Sequence, residues 1–257
     1  MTHVFGPVHS ARLGRLICVD LVPFKVCNFD CVYCEYGRTT IETIMRDRYL
    51  DFAQVTGEIE RRLDCGPDYI ALTGCGEPLI HAQLNQLMQH IRAVTDAPIA
   101  VLSNGGMFWR ADCRAEMMDA DIVLPSLDAG DNATLHAVNR PHARISVDDI
   151  IDGLVRFRRA FRKPIWLRVT LVGGLNDSPR SLDRIRRAVR RINPDKVQLR
   201  AADCLTCAEA TEIPADRLRR IAEYFGPTAE IIEETATVDR EHGFDLRAHR
   251  QIQGAAS

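Results

Sequence analysis

Three cysteines stand close together in the chain, at Cys27, Cys31 and Cys34, and this spacing is typical of metal binding. A structural zinc site uses four ligands, commonly supplied as paired C-x2-C units, whereas this segment offers three thiols. Three thiolates that leave one coordination position open suit an iron–sulfur cubane in which one iron binds an exogenous ligand. Two alternatives stay open: a zinc site completed by a distant His or Cys, and cysteines that simply pack in the core.

Cys204 and Cys207 form a second, shorter motif with C-x2-C spacing. This spacing suits a pair of metal ligands and predicts an auxiliary cluster or metal site, with a redox thiol or local packing as alternatives. Of the remaining cysteines, we expect Cys18 and Cys75 to reach the same end of the fold as the first motif.

The charge of the chain is nearly balanced, with 33 Lys and Arg against 35 Asp and Glu. A bulk field that attracts nucleic acid or an anionic membrane is therefore absent. The arginine-rich segment 184–191 is interpreted as a solvated helix face, with a tRNA- or protein-docking surface as the alternative. No apolar run approaches the roughly 20 residues of a membrane span. The odd count of nine cysteines, with no secretory signal pattern at the start, predicts a protein of the reducing cytoplasm.

The elements that must position the cysteines alternate regularly along the chain, because short apolar runs are followed by longer amphipathic ones. This alternation indicates βαβ units and a parallel sheet, arranged either as a partial barrel or as a doubly wound sheet. We assign helix starts to Asp51, Asp112, Ser146 and Ser178. The predicted strands are 17–22, 69–73, 99–103, 121–125, 165–172 and 196–200, and the predicted helices are 51–63, 82–94, 111–119, 147–161, 179–192 and 215–225.

Polar and glycine-rich segments follow the predicted strands, where the carboxyl ends of parallel strands meet at one rim and build active sites. We therefore expect these segments to gather around the cysteine loop. They are 74–78, 103–106, 126–130, 173–177 and 201–207.

The cysteine motif, with Tyr33 before its last cysteine, resembles the signature of the radical S-adenosylmethionine (SAM) superfamily. Further similarity to its wyosine-synthase-like branch lies in segments 5–14 and 19–23, in Leu-Ser-Asn-Gly at 102–105, in Leu-Pro-Ser-Leu-Asp at 124–128 and in Asn-Arg-Pro at 139–141. The resemblance covers about residues 5–235. It implies an α/β fold, a partial (β/α)6 radical SAM barrel with parallel strands, over residues 1–235, followed by a C-terminal tail over 236–257.

The resemblance also implies one [4Fe–4S] cluster on Cys27, Cys31 and Cys34, and an enzyme that reductively cleaves SAM to a 5′-deoxyadenosyl radical. The segment Gly-Cys-Gly-Glu-Pro at 74–78 is similar to the motif that grips the SAM ammonium, and a carboxylate flanked by glycines suits that task. The implied cofactor-binding residues are Tyr33 at the adenine, Gly74, Gly76 and Glu77 at the ammonium, Ser103 and Asn104 near the methionine moiety, Ser126 and Asp128 at the ribose, and Arg168 at the SAM carboxylate.

The expected partners are SAM, an electron donor such as flavodoxin or ferredoxin, and a substrate that is a small metabolite, a peptide or a tRNA base. For Arg168 a buried ion pair unrelated to SAM is an equal alternative. Wyosine synthases carry extra cluster cysteines ahead of the motif, and here only Cys18 lies there, which argues against that particular activity. The rival class is a non-catalytic iron–sulfur or zinc protein that uses the cysteine loop for electron transfer or structure.

Overall fold

Six parallel strands lie side by side in a computed structural model that describes residues 2–202, 210–232 and 237–238. The strands are β1 Val4–Ser10, β2 Gly14–Asp20, β3 Val26–Cys27, β4 Ile41–Glu42, β5 Tyr69–Thr73, β6 Ile99–Ser103, β7 Ile122–Pro125, β8 Trp166–Leu171, β9 Lys196–Ala201, β10 Ala229–Ile231 and β11 Thr237–Val238. The helices are α1 Phe52–Glu60, α2 Leu84–Val94, α3 Ala111–Glu116, α4 Asn132–Val138, α5 Val147–Ala160, α6 Pro179–Ile192 and α7 Ala215–Phe225.

The six parallel strands are β2, β5, β6, β7, β8 and β9, in chain order. Strands β2, β5, β6 and β7 pair in one sheet, and β8 and β9 pair in a second. Parallel bridges from Val123 to Ile165 and from Ser126 to Arg168 join β7 to β8, so the two sheets form one curved wall.

The wall stays open, because its two edges pair with other strands and not with each other. Strand β1 pairs antiparallel with β2 and itself pairs with β11, while β10 adds a parallel strand beyond β9. The predicted partial (β/α)6 barrel is thereby confirmed, and the doubly wound alternative is excluded.

Helix boundaries follow the capping chemistry in the sequence, with one exception. The side chains of Asp51, Ser146 and Ser178 accept hydrogen bonds from the backbone N–H three residues on, as predicted for caps. The assignment of Asp112 as a cap is wrong, because α3 begins after Arg110 and Asp112 lies in its first turn. There the Asp112 carboxylate bonds the Arg110 guanidinium at 2.8 Å.

Two apolar layers lie on the two faces of the curved wall. The larger layer packs the outer face against the helices, as where Phe157 of α5 contacts Phe108 and Phe161 with ring centroids 5.0 and 4.7 Å apart. The smaller layer lies inside the barrel and includes Cys18, Ala71 and Ala100, which face one another across β2, β5 and β6. Small side chains at these inward positions leave space within the barrel.

The predicted tail over 236–257 lies outside the described residues apart from Thr237 and Val238, which form β11. The domain boundary at residue 235 therefore stays a prediction. Within the part of the chain that the structure describes, no helix has the length and apolarity to cross a membrane.

Candidate functional site

The cysteine loop, Cys27–Cys34, follows the first barrel strand and is held by backbone hydrogen bonds to the end of α4 and the residue after it. The Asp30 N–H donates to Asn139 O at 3.0 Å, and the Val32 N–H donates to Val138 O at 2.9 Å. The Asn-Arg-Pro segment at 139–141 thus serves as the support on which the cysteine loop is laid. The loop could not be placed from its own residues, because these partners lie about a hundred positions away in the chain.

Each of the three thiols lies next to a nitrogen that donates a hydrogen bond to its sulfur. The three pairs are Lys25 Nζ with Cys34 Sγ at 3.1 Å, Asn104 Nδ2 with Cys27 Sγ at 3.5 Å, and Asn139 Nδ2 with Cys31 Sγ at 3.4 Å. Donors directed at sulfur stabilise the negative charge of a thiolate, and they tune the reduction potential of a cluster that the thiolates hold.

Lys25 is the residue that sequence reasoning missed most completely. Its side chain is buried, with 2% of the residue exposed, and its backbone adopts a left-handed φ of 56°. A buried ammonium and a strained φ both cost free energy, and they persist where the surroundings over-determine them, commonly at functional sites. No sequence signal marks Lys25, because its role depends on the backbone that turns its ammonium toward Cys34.

Burial raises the pKa of the Cys27 thiol to about 12, and the charge of Glu77 adds to that effect. Burial likewise raises the pKa of Cys31, while the hydrogen bond from Asn139 partly opposes the rise. Both thiols are protonated near neutral pH, so metal binding must displace their protons, and loading is expected to become easier as the pH rises.

The three cysteines line a single cavity of about 360 Å³. Within residues 2–202 and 210–232, no three His, Cys, Asp or Glu side chains converge on a position that one metal ion could occupy. In a [4Fe–4S] cubane each thiolate binds a different iron, so the sulfurs border a shared space without meeting at one ion. The three thiols border one space, as the ligands of a cubane with one open iron would.

Glu77 lies on the same cavity, just after β5, and is buried, with 1% of the residue exposed. Its Oε1 accepts from Ser103 Oγ at 2.8 Å and from the Leu79 N–H at 3.0 Å, and its Oε2 accepts from the Asn104 N–H at 2.7 Å. Burial raises its pKa to about 7, although these donors and the charge of Arg168 act in the opposite direction. A carboxylate so desolvated gains much from a cationic ligand.

The glycines on either side of Cys75 bring Glu77 close to the cysteine loop. Gly74 has φ +150°, and a Cβ there would overlap the carboxylate of Asp20. A Cβ on Gly76 would overlap the carbonyl oxygen of Val26, to which the Glu77 N–H donates at 3.2 Å. Two glycines are therefore required for the turn to pack directly against the residue before Cys27.

Ser126 and Arg168 line the cavity at the junction of β7 and β8. Arg168 Nε donates to Ser126 Oγ at 3.1 Å, which orients the guanidinium inside the barrel. The charge of Arg168 acts on Glu77, so a cation and an anion lie within electrostatic reach of each other in one cavity. This pairing matches the two charged groups of an amino acid.

Tyr33 lines the cavity, but Asp128 does not. The Tyr33 hydroxyl donates to Asp128 Oδ2, which also accepts from Asn139 Nδ2 at 2.8 Å, while Asp128 Oδ1 accepts from the Thr170 N–H at 2.7 Å. Asp128 therefore lies behind the cavity wall and holds Tyr33 and Asn139 in place. Its contact with the ribose of SAM stays a prediction.

Cys18 and Cys75 line the same cavity, as expected from the place of Cys18 within β2 and of Cys75 just after β5. The Cys75 thiol hydrogen-bonds the buried Asp20, and burial raises the pKa of that carboxyl to about 6. The predicted auxiliary pair, Cys204 and Cys207, lies outside the described residues.

A partial barrel with three thiols at its mouth defines a class of protein, and comparison with known protein families identifies that class. The model of the Radical SAM superfamily matches residues 21–194, and the chain belongs to that superfamily. Within it, the chain also belongs to the UPF0026 family: it is 30% identical over 228 residues to the UPF0026 protein of Helicobacter pylori (strain 26695), covering 86% of this chain and 73% of that protein.

Two further comparisons extend over most of the chain. It is 34% identical over 244 residues to the GTPase Obg of Brachyspira hyodysenteriae, and the match spans 93% of this chain but 36% of that protein's length. Streptococcus suis SuiB, solved with its precursor peptide SuiA, has a TM-score of 0.64 over 85% of this chain and 48% of its own, at 12% identity. At that identity the likeness shows a shared fold alone.

Proposed function

We propose that this chain is a radical SAM enzyme with one [4Fe–4S] cluster on Cys27, Cys31 and Cys34. The single observation that carries the proposal is that the three thiols and the buried Glu77 line one cavity. When bound, the cluster supplies an electron that cleaves SAM to methionine and a 5′-deoxyadenosyl radical, which acts on a substrate in the barrel.

The chain contributes orientation and charge to this reaction. Glu77 pairs with the SAM ammonium, which relieves the desolvation of its carboxylate. Arg168, held by Ser126, pairs with the SAM carboxylate from the β8 side of the cavity. Ser103 and Asn104 keep both oxygens of Glu77 in position, so their contribution to SAM binding acts through that carboxylate.

Lys25, Asn104 and Asn139 stabilise the thiolates that hold the cluster. A buried ammonium favours the more negative, reduced state, so Lys25 helps the cluster accept its electron. We propose flavodoxin or ferredoxin as the donor of that electron in a reducing compartment. When either protein, reduced by its reductase and NADPH, replaces dithionite in the assay, SAM is expected to be cleaved.

The rival proposal, a non-catalytic iron–sulfur or zinc protein, accounts less well for the cavity. A protein that only transfers electrons or staples a loop needs no space beside its thiols. Here the cavity extends from the thiols down to Leu16 and Arg12 at the far end of β2 and its hairpin turn. Such a space suits a cofactor and a substrate held together.

Anaerobic reconstitution with iron and sulfide, followed by dithionite and SAM, tests the proposal. Wild type is expected to form 5′-deoxyadenosine, and Cys31→Ala is expected to form none. Cys65→Ala is the matched control, because Cys65 is a partly buried cysteine that does not line the cavity. A wild-type protein that carries a full complement of iron and leaves SAM intact would establish the non-catalytic rival.

Two finer assignments have tests of their own. We infer kinship with the wyosine-synthase-like branch, supported by the contact between Asp128 and Asn139, which belong to two of the resembling motifs. The inference concerns the ancestry of the barrel; incubation with tRNA, SAM and reductant tests whether it extends to activity, since a tricyclic base formed on tRNA would show that branch's reaction and unmodified tRNA would limit the kinship to the fold. A second cluster at Cys204 and Cys207 would raise iron to about eight per chain, and an unchanged count in Cys204→Ala would exclude it.

A further inference from the structure

Segment 38–48, which contains β4, carries two large apolar side chains that are exposed to solvent. Ile41 is 56% exposed and Met45 is 69% exposed, more than any other large apolar residue in the part of the chain that the structure describes. Apolar side chains scattered singly over a surface are common, whereas two in one short segment are typical of a surface that contacts another molecule.

The same segment is attached by backbone hydrogen bonds to residues that surround the proposed cluster. The Thr43 N–H donates to Cys27 O at 2.9 Å, so β4 pairs directly with a cluster ligand. The Ile41 N–H donates to Lys25 O at 3.3 Å, and the ammonium of Lys25 contacts a second ligand. Because paired strands lie about 4.8 Å apart, the exposed segment is separated from the backbone of the cysteine loop by a single strand spacing.

Segment 38–48 also lies outside the cavity that SAM and the substrate share in the proposed function. None of its residues, all of which the structure describes, lines that cavity. SAM occupies the cavity when the cluster receives the electron that cleaves it, so the electron must enter through the outer side of the cysteine loop. The rate of electron transfer falls steeply with distance, and a donor bound on this segment approaches the cluster without entering the cavity.

The charges of the segment have both signs, which leaves the apolar pair as the main source of affinity. Arg38 pairs with Asp30 of the cysteine loop at 3.0 Å, and Arg48 is exposed. Glu42 and Asp47 are exposed acidic residues of the same segment, so it attracts neither sign of partner strongly. Transient redox complexes bury small interfaces, often below about 1,200 Å², and an apolar contact of this size suits such an interface.

We propose that Ile41 and Met45 form the docking site of the one-electron carrier that reduces the cluster, a flavodoxin or ferredoxin with an apolar contact beside its redox centre. This inference rests on the proposed function, because it locates the partner of the same cluster. In the step that docking permits, the carrier loses one electron and the cluster gains it, with no bond formed or broken and no proton transferred.

The test measures 5′-deoxyadenosine formation by the reconstituted chain against the concentration of flavodoxin or ferredoxin, each kept reduced by its reductase and NADPH. Ile41→Asp and Met45→Asp are each expected to raise the KM for the carrier by about 10-fold or more, because docking buries the new carboxylate in an apolar contact. With dithionite alone their rates are expected to match wild type, since a small reductant needs no docking site. Met118→Asp is the matched control: Met118 is 38% exposed ahead of β7, at the end of the barrel opposite the cysteine loop, and its KM is expected to stay unchanged.

Calorimetry of the oxidised carrier with the oxidised, reconstituted chain measures docking without turnover, and affinity is expected to fall by a similar factor in both β4 variants. Unchanged KM and affinity in both variants, or cleavage that dithionite drives and neither carrier supports, would overturn the inference. A wild-type dimer that both variants dissociate without losing carrier affinity would also overturn it, by assigning the surface to a second copy of the chain. Failure of dithionite to drive cleavage would instead refute the proposed function, and calorimetry would still test the docking site.

Discussion

The buried carboxylate of Glu77 has a consequence for stability that can be measured without cluster or SAM. Burial raises its pKa from 4.5 to about 7 in the folded chain. Between these values the folded protein holds a proton that the unfolded chain has lost, so the stabilisation is fully present below pH 4.5 and is lost as the pH rises through about 7. The separation of about 2.5 pH units, at about 1.4 kcal/mol each, corresponds to about 3.5 kcal/mol.

Glu77→Gln removes this dependence on pH, because an amide does not ionise in this range. Gln also turns its own N–H group toward a donor whose hydrogen bond Glu77 accepts, such as the Asn104 N–H. The lost hydrogen bond lowers the stability of the variant by an amount that does not depend on pH. The unfolding free energy of the variant minus that of wild type is therefore expected to increase by about 3 kcal/mol from pH 5 to pH 8. Urea unfolding of the cluster-free chain, anaerobic and with a reductant, measures the difference.

Glu58→Gln is the matched control, because Glu58 is also buried and also accepts backbone hydrogen bonds, from the N–H groups of His3 and Val4. Burial tends to raise its pKa, but these bonds and one from Gln54 lower it below the ordinary value. It is ionised in both states above pH 5, so its difference from wild type is expected to change much less than that of Glu77→Gln, with the coupled His3 as the remaining source of pH dependence. Parallel curves for wild type and Glu77→Gln over the same range would refute the desolvated carboxylate.

Three further outcomes follow from the contacts around the cysteine loop. Lys25→Met is expected to load iron normally but to lower the reduction potential of the cluster by on the order of 100 mV, because it removes the ammonium 3.1 Å from Cys34 Sγ. A redox titration monitored by EPR measures the potential, and an unchanged value would contradict this role of Lys25. Gly76→Ala is expected to lower the unfolding free energy by about 2 kcal/mol or more, because its Cβ overlaps a backbone oxygen. Gly57→Ala on α1 is the control and is expected to be neutral or stabilising. Equal urea midpoints for the two variants would contradict the close packing of Gly76 against Val26. Asn139→Leu is expected to reduce iron per chain, because it removes a donor to the cysteine loop at a cost of about 1–3 kcal/mol, and full iron content would contradict that role.

The barrel could be predicted from the sequence because its strands carry their own signal. Strands β5 and β6 have the predicted boundaries, Tyr69–Thr73 and Ile99–Ser103, since a short apolar run between polar segments is what a buried parallel strand requires. Strand β1 was not predicted, because Val4–Ser10 is half-buried and acquires its role only by pairing with β2. Helix α4 was missed for a similar reason: at seven residues it is too short to show a helical period.

The sequence predicts which residues line the cavity where a motif is local, and it does not predict contacts that depend on tertiary structure. Glu77 and the three cysteines line one cavity because strand ends meet at one rim. Asp128 also follows a strand, but its side chain turns behind Tyr33, and no spacing rule distinguishes those two directions. Lys25 is invisible for the same reason, since it acts on a sulfur brought to it by folding. Asn139 belongs to a resembling motif, but its hydrogen bond to Cys31 could not be predicted from that motif.

The central claim is that Cys27, Cys31 and Cys34 leave one iron open and that SAM binds there. Electron–nuclear double resonance of the dithionite-reduced, reconstituted chain tests it most directly, with SAM labelled by 15N in the amino group and 17O in the carboxylate. We predict a hyperfine coupling from both labels that disappears when SAM is omitted. A reduced [4Fe–4S] signal that is identical with and without SAM, and shows coupling to neither label, would contradict the account.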